Sequence, residues 1–224
     1  MDPIAELAAA SLAFVGTHFA LSHPLRAPLV ARLGEKGFLP VYSLVAFATL
    51  GWMILAFRGA PTADLPGSGE IGWIASTLLT VPALLLFLGS LRNNPALPAP
   101  GAMAAAAREP TGVFAVTRHP MMWGFALWAL SHIVLWWSVR TLIVAGTVLF
   151  LALVGAHMQD RKKEALLGAG WTAWEARTSY WPRWGKLPGA GLVLWAITLA
   201  LWFVVTWSHI HAAGVPAGVW RWVG

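Results

Sequence analysis

Six hydrophobic runs that contain no Asp, Glu, Lys or Arg dominate this sequence. They cover residues 7–25, 37–57, 71–91, 119–139, 141–159 and 187–220. Each run offers about the 20 residues that an α-helix needs to cross a hydrocarbon layer of roughly 30 Å. The pattern therefore predicts an all-α fold, a polytopic membrane helical bundle of about six transmembrane helices.

The composition agrees with a membrane location. Hydrophobic residues make up 58% of the 224 residues and charged residues only 11%, whereas a soluble domain has about 25% charged residues. We predict a single integral membrane domain over residues 1–224, with spans at approximately residues 4–22, 39–57, 71–91, 120–138, 141–158 and 188–209.

The basic residues predict how these helices are oriented. Twelve of the 15 Lys and Arg residues lie in the connections 22–40, 92–118 and 159–187, and the other three are Arg58, Arg140 and Arg221. Cytoplasmic loops are enriched in Lys and Arg. We therefore expect these three connections in the cytoplasm and both termini on the non-cytoplasmic side. The net charge of +6 reflects this topology, so no nucleic-acid partner is expected.

Two of these connections have further features. Prolines at 95, 98 and 100 and the run Ala104–Ala107 predict an irregular connection over residues 92–112. The last connection contains Trp171, Trp174, Tyr180, Trp181 and Trp184. Because amphipathic rings gather at the level of the lipid headgroups, these rings are expected at the membrane surface.

Several kinds of chemistry are excluded by what the sequence lacks. There is no cysteine, which excludes disulfides, thiolate metal sites and a cysteine nucleophile. No Walker, dinucleotide-binding or zinc-protease motif is present, and no serine lies in a G-x-S-x-G context. Every acidic residue lies outside the predicted spans or at their edges, and the polar candidates inside the spans are histidines.

His18 in the first span and His132 in the fourth are the candidates for a metal site. Histidine is a common axial ligand of haem iron, and a porphyrin fits between packed helices. A histidine within a membrane helix is also often a hydrogen-bonded packing residue. The depths predicted for the two residues differ, His132 lying beyond the midplane and His18 on the inner side, so a shared site requires tilted or extended helices.

Arg118 and His119 precede Pro120 at the start of the fourth span. Thr117 and Pro120 read as the beginning of a helix, in which Thr117 caps the first turn. Alternatively, Arg118 and His119 form a cytoplasmic anion site, since helix N-termini attract phosphate and carboxylate groups. His119 lies thirteen residues, or about 20 Å, from His132 along the helix, so the two histidines cannot share a site.

A charged segment, Asp160 to Glu164, follows the fifth span. Its simplest interpretation is a solvated helical turn that helps to fix the topology. In the alternative interpretation it faces Arg118 and His119, and Asp160 pairs with Arg118.

Three separated motifs resemble the NnrU family, bacterial membrane proteins encoded near denitrification genes and related to plant 15-cis-ζ-carotene isomerase. The motifs are GTHFALSHPLRAPLVARLGEKGFLPVYSLVA, TGVFAVTRHPMMWGFALWALSH and DRKKEALLGAGWTAWEARTSYWP. The likeness covers about residues 11–185. It implies a multi-pass protein of the bacterial inner membrane, surrounded by membrane lipid.

The resemblance also implies a cofactor and a chemistry. In the carotene isomerase, haem is held by the histidine of the first span and by the one that ends the Arg-His-Pro helix; here these are His18 and His132. The resemblance thus implies b-type haem and either isomerase-type chemistry on a lipophilic substrate or a denitrification-linked role. Arg118 and His119 would shape the cytoplasmic mouth of the site or bind an anionic group.

Two alternatives remain open. The Arg-His-Pro turn and the basic connection after the fifth span distantly resemble isoprenylcysteine carboxyl methyltransferases, which implies S-adenosylmethionine bound near Arg118, His119 and Asp160. In that group a pair of acids completes the site, and here Gln159-Asp160 stands in its place. The other alternative is a non-catalytic factor that assists assembly of a nitric-oxide or nitrite reductase. Whether the protein is an enzyme is thus left undecided by the sequence.

Overall fold

The computed structural model describes residues 1–97 and 101–223, and every regular element in these ranges is helical. The helices are α1 (Pro3–Ser22), α2 (Arg26–Gly59), α3 (Gly69–Gly89), α4 (Ala102–Ala107), α5 (Val113–Val116), α6 (Pro120–Leu135), α7 (Val139–Leu167), α8 (Ala169–Arg177), α9 (Leu192–Ala213) and α10 (Trp220–Val223), with a 3-10 helix at Trp184–Ala190.

Five of these helices, α1, α2, α3, α7 and α9, are long and apolar enough to cross a membrane. The protein is therefore a polytopic helical membrane protein, as the hydrophobic runs predict. The remaining predicted span corresponds to α6, an apolar helix of 16 residues. At about 1.5 Å per residue α6 is about 24 Å long, which is shorter than the usual span. Six crossings, and the orientation of the termini, stay predictions.

The chain divides into two compact units. The first comprises residues 1–67 and 136–147, and the second comprises residues 68–135 and 148–224. The prediction of a single integral membrane domain stays a prediction.

In the first unit, α1 packs against α2 through small and aliphatic side chains. Leu7 and Ala10 are fully buried against Met53 and Ala56 of α2. Asp2 begins α1 by accepting a hydrogen bond of 2.9 Å from the N–H of Ala5, which satisfies one of the free donors of the first turn. This packing places His18 in the last turns of α1, next to α2.

The carboxyl end of α2 is held by Arg140. Its Nη1 donates to the carbonyl oxygens of Phe57 and Ala60 at 3.2 and 3.0 Å, and its guanidinium lies 4.4 Å from the centre of the Phe57 ring. The last carbonyls of a helix lack partners within the helix, so a cation there is favourable.

In the second unit, α6 lies against α3 and α9 packs on α3. Glycine at position 124 makes the first contact possible, because a Cβ there would lie 2.8 Å from the carbonyl oxygen of Ala83. Trp202 of α9 donates its indole N–H to the hydroxyl of Thr80 at 2.9 Å. The core of this unit also contains Trp123, Trp171 and Trp174.

Two predicted connections are more ordered than expected. Residues 26–38, predicted as part of a loop, belong to α2, which bends at Gly34 (φ 69°); Arg26 and Glu35 form an ion pair of 2.8 Å across this bend. In the connection 92–112, Ala104–Ala107 forms most of α4, because alanine has the highest helix propensity. Of the three prolines cited for that connection, Pro98 and Pro100 lie outside the described residues.

Candidate functional site

The Arg-His-Pro turn forms the beginning of α6. The helix starts at Pro120, and the carbonyl oxygen of His119 accepts a hydrogen bond of 3.0 Å from the N–H of Trp123. Proline suits the first helical position because its φ angle is already helical and its missing N–H would have no partner there. The predicted start of this helix is therefore confirmed.

Thr117 does not cap the first turn in the expected way. Its hydroxyl oxygen accepts from the N–H of His119 at 3.2 Å, not from a residue inside the helix. The hydroxyl lies 3.1 and 2.8 Å from the carbonyl oxygens of Ser179 and Tyr180, to which it can donate. Because these acceptors belong to the segment after α8, tertiary contact displaces the local cap.

That segment holds the turn along its whole length. The N–H of Arg118 donates to the carbonyl of Ser179 at 2.8 Å, and the indole N–H of Trp123 donates to the carbonyl of Tyr180 at 2.8 Å. The N–H of Arg183 donates in turn to the carbonyl of Val116 at 2.8 Å. The backbone positions of Arg118 and His119 are thereby fixed on both sides.

Asp160, near the end of α7, joins the two charged side chains of the turn. Arg118 approaches it with two nitrogens, Nη2 at 2.6 Å from Oδ2 and Nε at 3.1 Å from Oδ1. His119 Nε2 lies 2.7 Å from Oδ1. The structure therefore confirms that Asp160 pairs with Arg118. The interpretation of this position as a solvated turn is wrong for Asp160, which is only 6% exposed.

Glu175 of α8 completes the cluster. Its Oε1 lies 3.3 Å from Arg118 Nη2, so one guanidinium contacts two carboxylates. We call Arg118, His119, Asp160 and Glu175 the polar junction. It links α6, α7 and α8 at one point.

The two carboxyl groups of the polar junction have opposite pKa shifts. Burial raises the pKa of Asp160, but the hydrogen bonds from His119 and Arg118 and their charges outweigh burial, so the net pKa lies below its usual range. The pKa of Glu175 is raised by burial, by the negative charge of Asp160 and by a hydrogen bond with Glu164, and Arg118 offsets this only in part.

The imidazole of His119 is fully buried within the junction. Because Asp160 is ionised, the contact places the proton on Nε2 as the donor. Nδ1 is buried and has no hydrogen-bond partner in the part of the chain that the structure describes. A carboxylate that orients an imidazole whose other nitrogen is free is the arrangement of a general base. This nitrogen is, however, buried, and what the contacts of the junction show is that they join the start of α6 to α7 and α8.

Arg118 and His119 were predicted as a possible anion site. Arg118 already faces two carboxylates, and its guanidinium lies 5.6 Å from the centre of the Tyr180 ring. Binding of an anionic group by these two residues stays a prediction.

His18, in the first unit, is held by its own helix. Nδ1 lies 2.7 Å from the carbonyl oxygen of Phe14, and the ring contacts those of Phe14 and Tyr42 at centroid distances of 4.3 and 5.8 Å. A carbonyl oxygen can only accept, so Nδ1 carries the proton. Nε2 is then a bare nitrogen that accepts no hydrogen bond from the described residues.

His132, in the second unit, repeats this arrangement. Nδ1 lies 2.8 Å from the carbonyl oxygen of Trp128, four residues earlier, and 3.1 Å from the hydroxyl of Ser131. The ring packs on the Trp128 indole at 4.4 Å. Nε2 again has no hydrogen-bond partner among the described residues. Each histidine, taken by itself, has the orientation that an axial ligand needs. The pairing of the two histidines at one haem stays a prediction.

Among residues 1–97 and 101–223, no group of three or more His, Asp and Glu side chains is arranged to hold a metal ion. This finding concerns sites built from protein ligands alone. A haem needs only axial ligands from the chain, because the porphyrin supplies the other nitrogens.

Sequence reasoning missed one member of the polar junction and did not foresee that two of the tryptophans are buried. No local pattern in the sequence indicates Glu175, because its partner Arg118 is 57 positions away. Trp171 and Trp174, expected at the membrane surface, are buried in the core of the second unit at 0% and 2% exposure. Their i, i+3 spacing on α8 was the available signal, since it places both on one helical face.

Comparison with known proteins identifies one family. The model of that family, described as NnrU protein, matches residues 6–217. No curated protein and no solved structure matches the chain. The family match extends beyond the motifs at residues 11–185 to include α9 in full. With nearly the whole length matched, the chain belongs to the NnrU family.

Proposed function

We propose that this NnrU-family membrane protein binds a b-type haem through His18 and His132. The haem would serve redox-dependent isomerisation of a lipophilic substrate, or a redox or sensing role linked to denitrification. The observation that supports this proposal is the shared state of the two histidines. In each, Nδ1 lies within hydrogen-bond distance of the carbonyl oxygen four residues earlier, and Nε2 has no hydrogen-bond partner among residues 1–97 and 101–223.

This state suits metal ligation for a physical reason. Histidines that bind metals usually donate their other ring N–H to a carbonyl or carboxylate, which fixes the tautomer and makes the ligating nitrogen more basic. Phe14 and Trp128 supply these carbonyl oxygens, and both lie on the same helix as the histidine they orient. The helix therefore presets each ring before any ligand arrives.

The surroundings of each ring would exclude water. Phe14 and Tyr42 contact His18, and Trp128 contacts His132. A bound haem would supply one-electron chemistry, and its potential rises or falls with the polarity around it. The chain's own part is to orient two neutral imidazoles and to surround them with aromatic side chains.

Absorption spectra of the purified protein test the proposal. We expect a Soret band after expression with ample haem, and its loss in His18→Ala, in His132→Ala and in the double variant. His209→Ala is the matched control, because His209 has the same Nδ1 contact with a carbonyl four residues earlier, at 2.9 Å.

Three results would overturn the proposal: no Soret band at all, a band that persists in the double variant, or a band lost only in His209→Ala. Since each variant is compared at equal folded protein, judged by size-exclusion profile, loss of haem is distinguished from loss of fold.

The contacts of the polar junction do not favour methyl transfer from S-adenosylmethionine. Both oxygens of Asp160 are engaged by Arg118 and His119, and the Gln159 amide donates to the carbonyl of Ala96 at 2.9 Å. Calorimetric titration with S-adenosylhomocysteine checks this, and saturable binding at micromolar concentration would revive methyl transfer.

A role in assembling a nitric-oxide or nitrite reductase is separable from haem binding. Co-purification of a reductase subunit with the His18→Ala, His132→Ala double variant, together with an intact cellular phenotype, would support that role in place of the proposed one.

A further inference from the structure

An exposed segment between α8 and α9 combines indole rings with basic side chains. We call residues 181–187 the Trp-Arg segment, after Trp181, Arg183 and Trp184. Trp181 is 67% exposed and Trp184 46%, whereas Trp171 and Trp174 are almost completely buried. Exposed patches of large apolar side chains are typical of surfaces that contact a membrane or a partner.

The contacts of the Trp-Arg segment place it at one end of the second unit's helices. Trp123, in the first turn of α6, contacts Trp181 and Trp184 at ring-centroid distances of 5.4 and 6.5 Å. The segment runs into α9, which begins at Leu192. Because α6 and α9 are both predicted to cross the membrane, we expect a segment joined to their ends to lie where they leave the hydrocarbon, and indole rings favour that headgroup level.

The charge of the Trp-Arg segment is uncompensated. Residues 176–224 contain no Asp or Glu. Among the described residues, no carboxylate forms an ion pair with Arg183 or Lys186. Within the described residues, the Arg183 side chain donates one hydrogen bond, of 3.3 Å from Nη2 to the carbonyl oxygen of Thr178, so most of its guanidinium donors are available to a ligand.

We propose that the Trp-Arg segment binds the headgroups of anionic phospholipids. Arg183 and Lys186 would meet the phosphate and its excess negative charge, while Trp181 and Trp184 would anchor the segment among the glycerol groups. The combination favours a lipid over an acidic protein, because the indoles and the cations lie close together beside the first turns of α6 and α9, where these helices are predicted to enter the membrane. This inference is independent of the proposed haem.

Lipid binding by the full-length protein tests the proposal. The protein is purified in an uncharged detergent and titrated with phosphatidylglycerol or with phosphatidylcholine, and bound lipids are counted by native mass spectrometry. We expect tighter binding of phosphatidylglycerol, by about fivefold for each of the two cations. The preference should shrink as salt is added, because exposed charges are screened.

The double variant Arg183→Gln, Lys186→Gln is expected to lose this preference. The matched control is Arg32→Gln, Lys36→Gln, which removes the same charge from two exposed residues on a connection predicted to lie on the same side. The control should bind phosphatidylglycerol as the unaltered protein does.

Trp181→Ala separates the anchoring part from the charge part. We expect weaker binding of both lipids with an unchanged ratio between them. The proposal is overturned if the unaltered protein binds the two lipids equally, if the Arg183, Lys186 variant keeps its preference, or if both double variants lose it to the same extent.

Discussion

At the scale of single residues, Asp160 is the carboxylate that contacts both basic side chains of the polar junction. It receives hydrogen bonds from Arg118 and His119, and both partners are largely or fully buried. Removing one member of a buried pair leaves the other charge unpaired in a medium of low polarity, which costs about 3–5 kcal/mol. The stability of the folded protein is therefore expected to fall when one carboxylate oxygen of Asp160 is replaced by an amide nitrogen.

Asp160→Asn is expected to lower the thermal unfolding temperature markedly, since the amide cannot offer two charged acceptor oxygens to Arg118. Unfolding in detergent, followed by intrinsic tryptophan fluorescence, measures the effect. Glu109→Gln is the control, because the Glu109 side chain is 83% exposed and its ion pair with Arg177 should contribute less than about 1 kcal/mol. Equal shifts in the two variants would contradict a special role for Asp160.

Glu175 predicts a pH effect of the opposite sign from that of Asp160. Its pKa is raised in the folded protein, so its contribution to stability is complete below the usual carboxyl pKa and is lost as pH rises through the raised value. Glu175→Gln stays neutral and avoids this loss. The unfolding temperature of the variant, relative to the unaltered protein, should rise across the mildly acidic range above the usual glutamate pKa.

Asp160 works in the other direction. Its lowered pKa means that its stabilising effect is present above the usual aspartate pKa and is lost as pH falls through the lowered value.

The prediction for Glu175 has a clear contrary outcome. If the unfolding temperatures of Glu175→Gln and of the unaltered protein change in parallel with pH, Glu175 does not titrate in this range.

At the scale of elements, the contact between α3 and α6 depends on the absence of a side chain. A Cβ at position 124 would lie 2.8 Å from the Ala83 carbonyl oxygen and 3.1 Å from the Phe87 nitrogen, both backbone atoms that cannot swing away. Small residues permit such close approach between apolar helices, where packing provides much of the attraction.

Gly124→Ala is expected to destabilise the second unit by forcing α3 and α6 apart, with a cost of about 1–3 kcal/mol typical of overpacking. Gly155→Ala on α7 is the control, since a Cβ there meets nothing within 4 Å. The control should be neutral or slightly stabilising, because alanine favours a helix by up to about 1 kcal/mol over glycine. Thermal unfolding of both variants decides, and a neutral Gly124→Ala would contradict the packing argument.

At the scale of the whole molecule, the orientation of the chain in the membrane is the main prediction. The excess of Lys and Arg in three connections predicts that these face the cytoplasm. Because the chain contains no cysteine, single cysteines introduced at exposed sites give an unambiguous label.

Lys36→Cys and Lys186→Cys should react with a membrane-impermeant maleimide only after cells are opened, whereas Arg58→Cys should react in intact spheroplasts. All three side chains are exposed, so reactivity reports the side of the membrane. The reverse pattern would overturn the predicted topology.

The sequence by itself determined the features that depend on local composition and on the spacing of residues along the chain. Charge-free runs near the length of a membrane span predicted long apolar helices, of which the described residues contain five of span length, and the Arg-His-Pro turn predicted the start of α6. The runs did not give every boundary, since α2 begins at Arg26, within a predicted connection. The pairing of Asp160 with Arg118 was accessible as a hypothesis, because the charges at the ends of consecutive spans must lie at similar depth.

Only the tertiary structure decided what depends on contacts between distant positions. It brought Glu175 to Arg118, replaced the cap expected from Thr117 with bonds to the segment after α8, and buried Trp171 and Trp174 while leaving Trp181 and Trp184 exposed. The physical reason is common to all of these. The chemistry of a side chain limits the environments in which it is stable. The packing of neighbouring helices decides in which of these environments it lies.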